Sequence, residues 1–273
     1  MNWKRILIGK WSWKRPFYSL GSIYLLLVIV AVFFADRIIF IPPPPSYGRD
    51  LPGLAFTETQ ENESIAYIHL QASPGRPTLL YSHGNAEDLA DSTTLYDALH
   101  ESGPGVIAYD FPGYGLSTGS PDEASCQRAL VAVWKHLVKS GVPEKSIVIV
   151  GRSVGSGPSV WLASREKPAG LVLISAFKST FTTAFPTPFP ILPRDRFPSL
   201  SRIRHFKRPL LLLHGESDEV IPVSHGEALF AACPSKDKSI TTFPGSGHND
   251  LFANDGDAIV KLITDFTKRV TKN

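Results

Sequence analysis

The sequence predicts an α/β fold in which helices flank a mostly parallel sheet, preceded by one N-terminal transmembrane helix. Short apolar runs alternate with longer stretches of helical periodicity, which is typical of strands and helices that follow one another along the chain. The runs are nearly continuously apolar, as expected of parallel strands covered on both faces. The uncharged stretch from Pro16 to Ala35 has about the 20 residues that a helix needs to cross a bilayer.

Residues 1–41 are predicted to form a basic arm and a membrane anchor. Five of the 28 Lys and Arg residues lie within the first fifteen positions, where there is no acidic residue. Such a basic flank predicts a cytoplasmic N terminus, with the rest of the chain on the opposite side of the membrane. A cleaved signal peptide is the alternative, but its apolar region is usually only about 7–15 residues long and ends in a small-x-small site.

The proline run Pro42–Pro45 opens a predicted stiff spacer over residues 42–50, and residues 51–273 are predicted to form the α/β domain. Because the basic arm accounts for the net charge of +3, the remainder is nearly neutral, which argues against nucleic-acid binding. The 43% hydrophobic content excludes a disordered chain, and two cysteines are too few for a disulfide framework. The oligomeric state is not predicted.

Strands and helices are predicted in order along the domain. Apolar runs with the length of strands occupy residues 65–70, 78–82, 106–109, 147–150, 171–174, 210–213 and 240–243. Helical periodicity occupies about residues 89–102, 122–140, 154–165, 225–232 and 257–270. The alternation predicts one α/β unit without internal repeats.

The motif Gly151-Arg152-Ser153-Val154-Gly155 lies between a predicted buried strand and a predicted helix. In a strand–turn–helix of the form Gly-x-Ser-x-Gly, the serine sits on a tight, strained turn that projects its hydroxyl above the sheet edge. The two glycines allow the strand and the helix to approach closely. The N terminus of the helix directs N–H groups and its positive dipole end towards a nearby oxyanion. Ser153 is therefore the predicted nucleophile.

A serine nucleophile needs a general base and a residue that orients the base, and with this turn they follow in the order acid, then histidine. Asp218 comes just after the strand predicted at 210–213, and His248 lies in a Gly-rich loop after the strand at 240–243. His248 would take the proton of the serine, and Asp218 would fix the tautomer of the imidazole. Three other acidic residues remain alternatives to Asp218: Glu216, Glu219 and Asp195.

Two backbone N–H groups are predicted to form an oxyanion hole. Val154 follows the nucleophile and supplies the first. The second is expected from Asn85, in the loop that follows the strand at 78–82, because this fold takes the second donor from an early strand–helix loop. The alternative is an ordinary loop in which Asp88 caps the next helix.

No cofactor and no metal are predicted. The cluster Gly113-Tyr114-Gly115 lacks the spacing of a dinucleotide loop, and no lysine follows Gly157 as a phosphate-binding loop requires. No His, Asp or Glu cluster has the spacing of a metal site.

The chain resembles the α/β-hydrolase superfamily of serine hydrolases, and within it the subgroup that includes the animal protein depalmitoylases. The matching stretches are Ser82-His83-Gly84-Asn85-Ala86, Tyr109 to Gly115, Gly151 to Gly155, His214 to Ile221 and Gly247-His248-Asn249-Asp250. The resemblance implies Ser153 as nucleophile, Asp218 as acid and His248 as base. Arg152 stands where that subgroup has Gln, and the chain lacks the subgroup's N-terminal cysteines.

Residues 177–198 are rich in Phe and Pro and follow a strand on the edge where ligands enter such sheets. They are either an apolar cap that forms an acyl pocket or faces the membrane, or a stiff connector packed on the core.

These observations predict a membrane-anchored serine hydrolase that cleaves esters or thioesters of lipid-like or acylated substrates. Its partners would be this ester substrate and the bilayer, and it would bind no nucleic acid. The alternative is a non-catalytic, membrane-anchored scaffold with a hydrolase fold. A peptidase is less expected, because no second domain is available to bind peptides.

Overall fold

The computed structural model describes residues 13–184 and 196–271, and within them eight strands form one sheet in the order β1-β2-β4-β3-β5-β6-β7-β8. From β4 and β3 to β8 the neighbouring strands are parallel, whereas β2 pairs antiparallel with both β1 and β4. The strands are β1 Leu54–Glu58, β2 Ser64–Leu70, β3 Thr78–Ser82, β4 Gly105–Tyr109, β5 Ile147–Arg152, β6 Gly170–Ile174, β7 Leu210–Gly215 and β8 Lys238–Phe243. The predicted α/β fold with a mostly parallel sheet is confirmed.

Helices cover the sheet on both faces. The helices are α1 Arg15–Phe33, α2 Ala35–Ile39, α3 Thr93–Glu101, α4 Glu123–Lys139, α5 Ser156–Ala163, α6 Thr180–Ala184, α7 Ser199–Arg202, α8 Ser224–Ala232 and α9 Leu251–Val270. Buried side chains of α4, α5 and α8 form one apolar cluster with the sheet, and those of α3 and α9 form a second. Strands β3, β4 and β6 are buried at every position because both faces are covered, which is why their sequences are mostly apolar.

The predicted strands and helices are present, with shifted ends. The predicted helix at 89–102 begins as a 3₁₀ turn, Leu89–Ser92, which Asp88 caps by accepting from the N–H of Ala90. The last helix starts earlier than expected and is kinked at Asp255. Strand β1 was not predicted, because it lies at the sheet edge and no residue of it is fully buried, so its sequence lacks the long apolar run of the central strands.

The predicted transmembrane helix and single-pass topology are not supported by the structure. Over residues 13–184 and 196–271, no helix is both long enough and apolar enough to cross a membrane. The uncharged stretch from Pro16 to Ala35 is interrupted, because α1 ends at Phe33 and Phe34 leaves the helical conformation with φ −122°. Most of the predicted basic arm, up to residue 12, lies outside the described residues.

Candidate active site

The turn between β5 and α5 has the strained geometry that the Gly-x-Ser-x-Gly motif predicts. Ser153 has a φ of +50°, in the left-handed region that non-glycine residues seldom adopt, and its side chain is buried. A Cβ on Gly155 would lie 2.4 Å from the carbonyl oxygen of Ser82, and a Cβ on Gly151 would lie 2.7 Å from the carbonyl oxygen of Gly155. Only glycine therefore allows strand and helix to approach this closely.

The three side chains predicted as nucleophile, base and acid form one chain of hydrogen bonds. Ser153 Oγ lies 3.0 Å from His248 Nε2, and His248 Nδ1 lies 2.8 Å from Asp218 Oδ2. Each side chain follows the carboxyl end of a parallel strand, and such ends meet at one edge of a sheet. Residues 95 and 30 positions apart in sequence are brought together in this way.

Asp218 is held as a carboxylate by several donors. Its Oδ1 accepts from the N–H groups of Val220 at 3.0 Å and Ile221 at 2.6 Å. Burial alone raises the pKa of this carboxyl, but hydrogen bonds from two histidines and a backbone N–H outweigh it and hold the pKa well below its usual range. Asp218 is therefore ionised at neutral pH, and its carboxylate can accept a hydrogen bond from the Nδ1–H group of His248.

One of those histidines, His214, is not among the site residues predicted from the sequence. It is fully buried, with Nε2 2.8 Å from the carbonyl oxygen of Ile221 and 3.4 Å from Asp218 Oδ2. In the sequence, the one sign of this contact with Asp218 is that His214 lies at the end of β7, four residues before Asp218. His214 thus approaches the same carboxylate oxygen, Oδ2, that accepts from His248 Nδ1.

The alternative acids occupy other positions. Glu216 is exposed and accepts from the hydroxyl of Thr242 at 2.6 Å. Glu219 accepts from the backbone N–H of His248 at 3.4 Å, so it contacts the loop rather than the imidazole. Asp195 lies outside the described residues.

The loop of residues 83–88, here called the Asn85 loop, lies beside Ser153 as predicted. A Cβ on Gly84 would stand 3.6 Å from the Cβ of Ser153, so the backbone of the loop reaches the serine. Among the described residues, the N–H of Asn85 donates to no protein acceptor. Val154 follows Ser153 in the 3₁₀ turn Ser153–Gly155, which leads into α5. The two segments that carry the predicted oxyanion donors therefore both reach the serine.

The side chain of Asn85 forms three hydrogen bonds that the sequence did not predict. Its Nδ2 donates to the carbonyl oxygen of Ile39 at 2.6 Å, and its Oδ1 accepts from the N–H of Ile41 at 3.0 Å. The hydroxyl of Tyr114 also donates to Oδ1 at 2.6 Å. Residues 35–41, here called the strap, are thus hydrogen-bonded to the Asn85 loop.

A pocket of about 670 Å³ opens above Ser153 and His248. The strap forms part of its wall and contributes Ile38 and Ile39. Other lining side chains are apolar (Val154, Phe177, Val220, Ile221) or polar (Glu87, Arg152, Thr180, Thr183, Asn249). The two polar groups of opposite charge, Glu87 and Arg152, form an ion pair at 2.8 Å, so they add no net charge to the pocket.

Part of the predicted cap segment contributes to the same pocket. Phe177, Thr180 and Thr183 line it, and Arg196 forms an ion pair at 2.8 Å with Asp36 at the start of the strap. Residues 185–195, which include Phe185 and Phe189, lie outside the described residues. Of the described residues, no group of three or more His, Cys, Asp or Glu side chains could hold a metal ion.

Two family models match the chain in succession. The model described as "alpha/beta hydrolase fold" matches residues 77–197, and the one described as "Serine aminopeptidase, S33" matches residues 199–255. The first range holds Ser153, and the second holds Asp218 and His248.

Curated relatives match over most of their length. The alpha/beta hydrolase domain-containing protein aho-3 of Caenorhabditis elegans is 37% identical over 243 residues, which cover 79% of this chain and 73% of that protein. The alpha/beta hydrolase domain-containing protein 17B of Homo sapiens is 32% identical over 246 residues, which cover 80% of this chain and 85% of that protein.

Solved structures of low sequence identity share the fold. An esterase of Pyrococcus furiosus superimposes with a TM-score of 0.69 at 20% identity, covering 84% of this chain and 97% of the esterase. The mouse alpha/beta hydrolase domain-containing protein 10 superimposes with a TM-score of 0.63 at 18% identity, covering 80% and 99%. At such identities the likeness extends to the fold alone.

Proposed function

The chain belongs to the α/β-hydrolase family, as its sequence resemblance implied, and from this premise we propose that it is a serine hydrolase of carboxylic esters or thioesters. One observation carries the proposal: the continuous hydrogen bonding from Ser153 through His248 to Asp218 at the base of a pocket. A nucleophile, a base and an orienting acid in this arrangement can form and hydrolyse an acyl-enzyme.

In the proposed mechanism, His248 Nε2 takes the proton of Ser153 Oγ as that oxygen attacks the carbonyl carbon of the ester. The N–H groups of Asn85 and Val154 stabilise the negative oxygen of the tetrahedral intermediate. The protonated imidazole then gives its proton to the departing alcohol or thiol, which leaves an acyl-serine. Water, activated by the same imidazole, attacks the acyl-serine, releases the carboxylic acid and restores the serine hydroxyl.

The negative charge of Asp218 supports this cycle in two ways. It accepts from His248 Nδ1 at 2.8 Å, which leaves Nε2 unprotonated and able to accept the proton of the serine. It also stabilises the imidazolium that forms in each half of the reaction. The donors that keep its pKa low prevent it from taking the proton itself.

The walls of the pocket favour an apolar acyl group. Ile38 and Ile39 of the strap face the same space as Phe177 and Ile221, whereas the Glu87–Arg152 pair leaves no unpaired charge there. An aliphatic chain gains free energy from burial against such walls, in proportion to the apolar area removed from water. We therefore propose lipid-like or acylated substrates.

Association with a membrane is a further part of the proposal. Helix α1 exposes large apolar side chains, among them Phe17, Leu20 and Leu26, and Ile38 of the strap is both exposed and part of the pocket lining. Large exposed apolar side chains, where they form a patch, are typical of an interaction site for protein or lipid. A lipid surface at this end would bring acyl substrates directly to the pocket.

The central test is labelling by a fluorophosphonate probe. We expect the folded wild-type chain to be labelled and Ser153→Ala to remain unlabelled, because the probe reacts with an activated serine. A folded wild-type chain that resists labelling would favour the alternative of a non-catalytic scaffold.

A substrate panel then defines the reaction. We expect hydrolysis of p-nitrophenyl esters to become more efficient with acyl length, and acyl-thioesters to be cleaved as well. An aminoacyl p-nitroanilide belongs in the panel because a serine aminopeptidase model matches residues 199–255. Cleavage of the anilide alone would contradict the proposed ester specificity.

A further inference from the structure

A mostly buried ion pair connects the two segments that carry the proposed oxyanion donors. Arg152 Nη1 lies 2.8 Å from Glu87 Oε2 and 3.1 Å from Oε1, and the side chains of Arg152 and Glu87 are only 18% and 13% exposed. Arg152 immediately precedes Ser153 and Val154, whereas Glu87 follows Asn85 by two residues. The pair therefore joins the Asn85 loop to the turn after β5, across 65 positions of sequence.

We propose that the Glu87–Arg152 pair is a positioning device, which fixes the distance and orientation between the N–H of Asn85 and the N–H of Val154. The inference rests on the proposed function, because these N–H groups act only if an oxyanion forms on Ser153. It assigns a function to Arg152, the residue that departs from Gln at this position in the resembling subgroup.

Glu87 organises the Asn85 loop from within. Its Oε1 accepts from the backbone N–H of Gly84, and its Oε2 accepts from the hydroxyl of Ser92 at 3.3 Å. A Cβ on Gly84 would lie 2.6 Å from Oε1, so the loop backbone is folded closely around the carboxylate. The N–H of Gly84 is thereby occupied, and the next N–H along the loop, that of Asn85, is left for the pocket.

Arg152, the other partner of the ion pair, is held by Phe252 and by its place at the end of β5. Its guanidinium lies over the ring of Phe252, with 5.1 Å between the guanidinium carbon and the ring centroid. Burial lowers the pKa of Arg152, but the carboxylate of Glu87 more than compensates, so the guanidinium remains charged. The backbone of Arg152 ends β5, which fixes the start of the turn that carries Ser153. The ion pair thus connects a rigid strand end to a loop.

The positions of oxyanion donors affect the transition state more than the ground state. Donors must lie within hydrogen-bonding distance of the oxyanion, and a displacement of about 1 Å can reduce the rate about 100-fold. Removing one partner of a buried pair leaves the other charge uncompensated, and the segment that bears it then moves. Loss of the pair should therefore lower kcat and leave KM nearly unchanged.

A direct electrostatic effect of the two charges on the oxyanion predicts a different direction of the rate change than positioning does. If the charges acted on the oxyanion through space, removing the negative Glu87 would stabilise the oxyanion, and removing the positive Arg152 would destabilise it. Positioning predicts that both substitutions slow the reaction. The two accounts therefore differ in the direction of the effect at Glu87.

The experiment compares Glu87→Gln, Arg152→Met and the double variant in kcat and KM for a p-nitrophenyl ester and in the rate of fluorophosphonate labelling. We expect each single variant to lose about 10-fold in kcat with KM within about twofold. The double variant should lose no more than about 10-fold, because residues of one pair are coupled. Arg128→Met is the matched control, since Arg128 pairs with Glu63 at 2.9 Å and does not line this pocket.

Three results would overturn the proposal: an unchanged or raised kcat in Glu87→Gln, additive losses in the double variant, or an equal kcat loss in Arg128→Met. If Arg152→Met fails to fold, Arg152→Lys keeps the charge with a single-point donor, and the positioning role predicts a smaller kcat loss with KM unchanged. A wild-type chain that is not labelled contradicts the proposed function itself. A labelled wild type with unaffected variants contradicts only this inference.

Discussion

The side-chain amide of Asn85 donates to the carbonyl oxygen of Ile39 at 2.6 Å, so the loop beside Ser153 and the strap that walls the pocket are directly bonded. The backbone and the side chain of Asn85 thereby serve different parts of the site. Its N–H is one of the two proposed oxyanion donors, whereas its side-chain amide binds the strap, which forms part of the pocket wall. In the proposed mechanism, catalysis and substrate binding are therefore connected at this residue.

Asn85→Ala tests that connection. The variant keeps the backbone N–H but loses the bonds to Ile39 and Ile41, so we expect the free energy of unfolding to fall by about 1–3 kcal/mol. The strap should become less ordered, and KM should rise several-fold more for long-chain than for short-chain esters. Chemical denaturation and a chain-length series measure both effects. An unchanged ratio of long-chain to short-chain KM would contradict a role of the strap in acyl binding.

Asp218→Asn tests the acid of the proposed mechanism. The amide would accept poorly from His248 Nδ1 and favour the wrong tautomer, so we expect kcat to fall about 1,000- to 10,000-fold with the fold retained. Glu216→Gln is the control, because Glu216 contacts Thr242 on the exposed side of β7 and β8. If Glu216→Gln lost as much activity as Asp218→Asn, the assignment of the acid would be wrong.

Gly155→Ala tests the close contact behind the serine. Its Cβ would stand 2.4 Å from the carbonyl oxygen of Ser82 and 2.5 Å from that of His83, both rigid backbone atoms. We expect a loss of about 3 kcal/mol or more in the free energy of unfolding. Gly256→Ala is the matched control: no atom lies within 4 Å of the added methyl group, and alanine favours the helix, so it should gain about 0.5–1 kcal/mol.

The stability of the protein should depend on pH through His225. Burial, with the nearby charge of Lys178, lowers the pKa of this imidazole from 6.5 to about 4. Between these pH values the unfolded chain binds a proton here that the folded chain does not, so the free energy of unfolding decreases as the pH falls from 6.5 to 4.

His225→Gln removes this proton uptake. Between pH 6.5 and 4, we expect the free energy of unfolding of the variant to fall less steeply than that of the wild type. The difference in slope should correspond to at most about one proton taken up on unfolding. Above pH 7 the difference between the two proteins should be constant. Urea titrations at several pH values measure the slopes, and parallel slopes between pH 4 and 6.5 would contradict the lowered pKa.

The local pattern of the sequence was sufficient for the elements on which the site is built. Strands such as β4 and β6 are continuously apolar because both of their faces are buried, and that composition is visible without a structure. The order Ser153, Asp218, His248 was likewise readable, because each residue follows a strand end and parallel strand ends share one edge. Edge strand β1 escaped detection because partial burial gives it no such signature.

Contacts between distant segments were decided only by the tertiary structure. The apolar N-terminal stretch predicted a bilayer span, yet Phe34 leaves the helical conformation, and the strap that follows becomes part of the wall of the pocket. The pairing of Glu87 with Arg152 and the approach of His214 to Asp218 depend on which strands lie side by side and how the loops after them fold. Sequence periodicity reports the burial of each element, but it carries no information on which loops meet, because packing alone determines those distances.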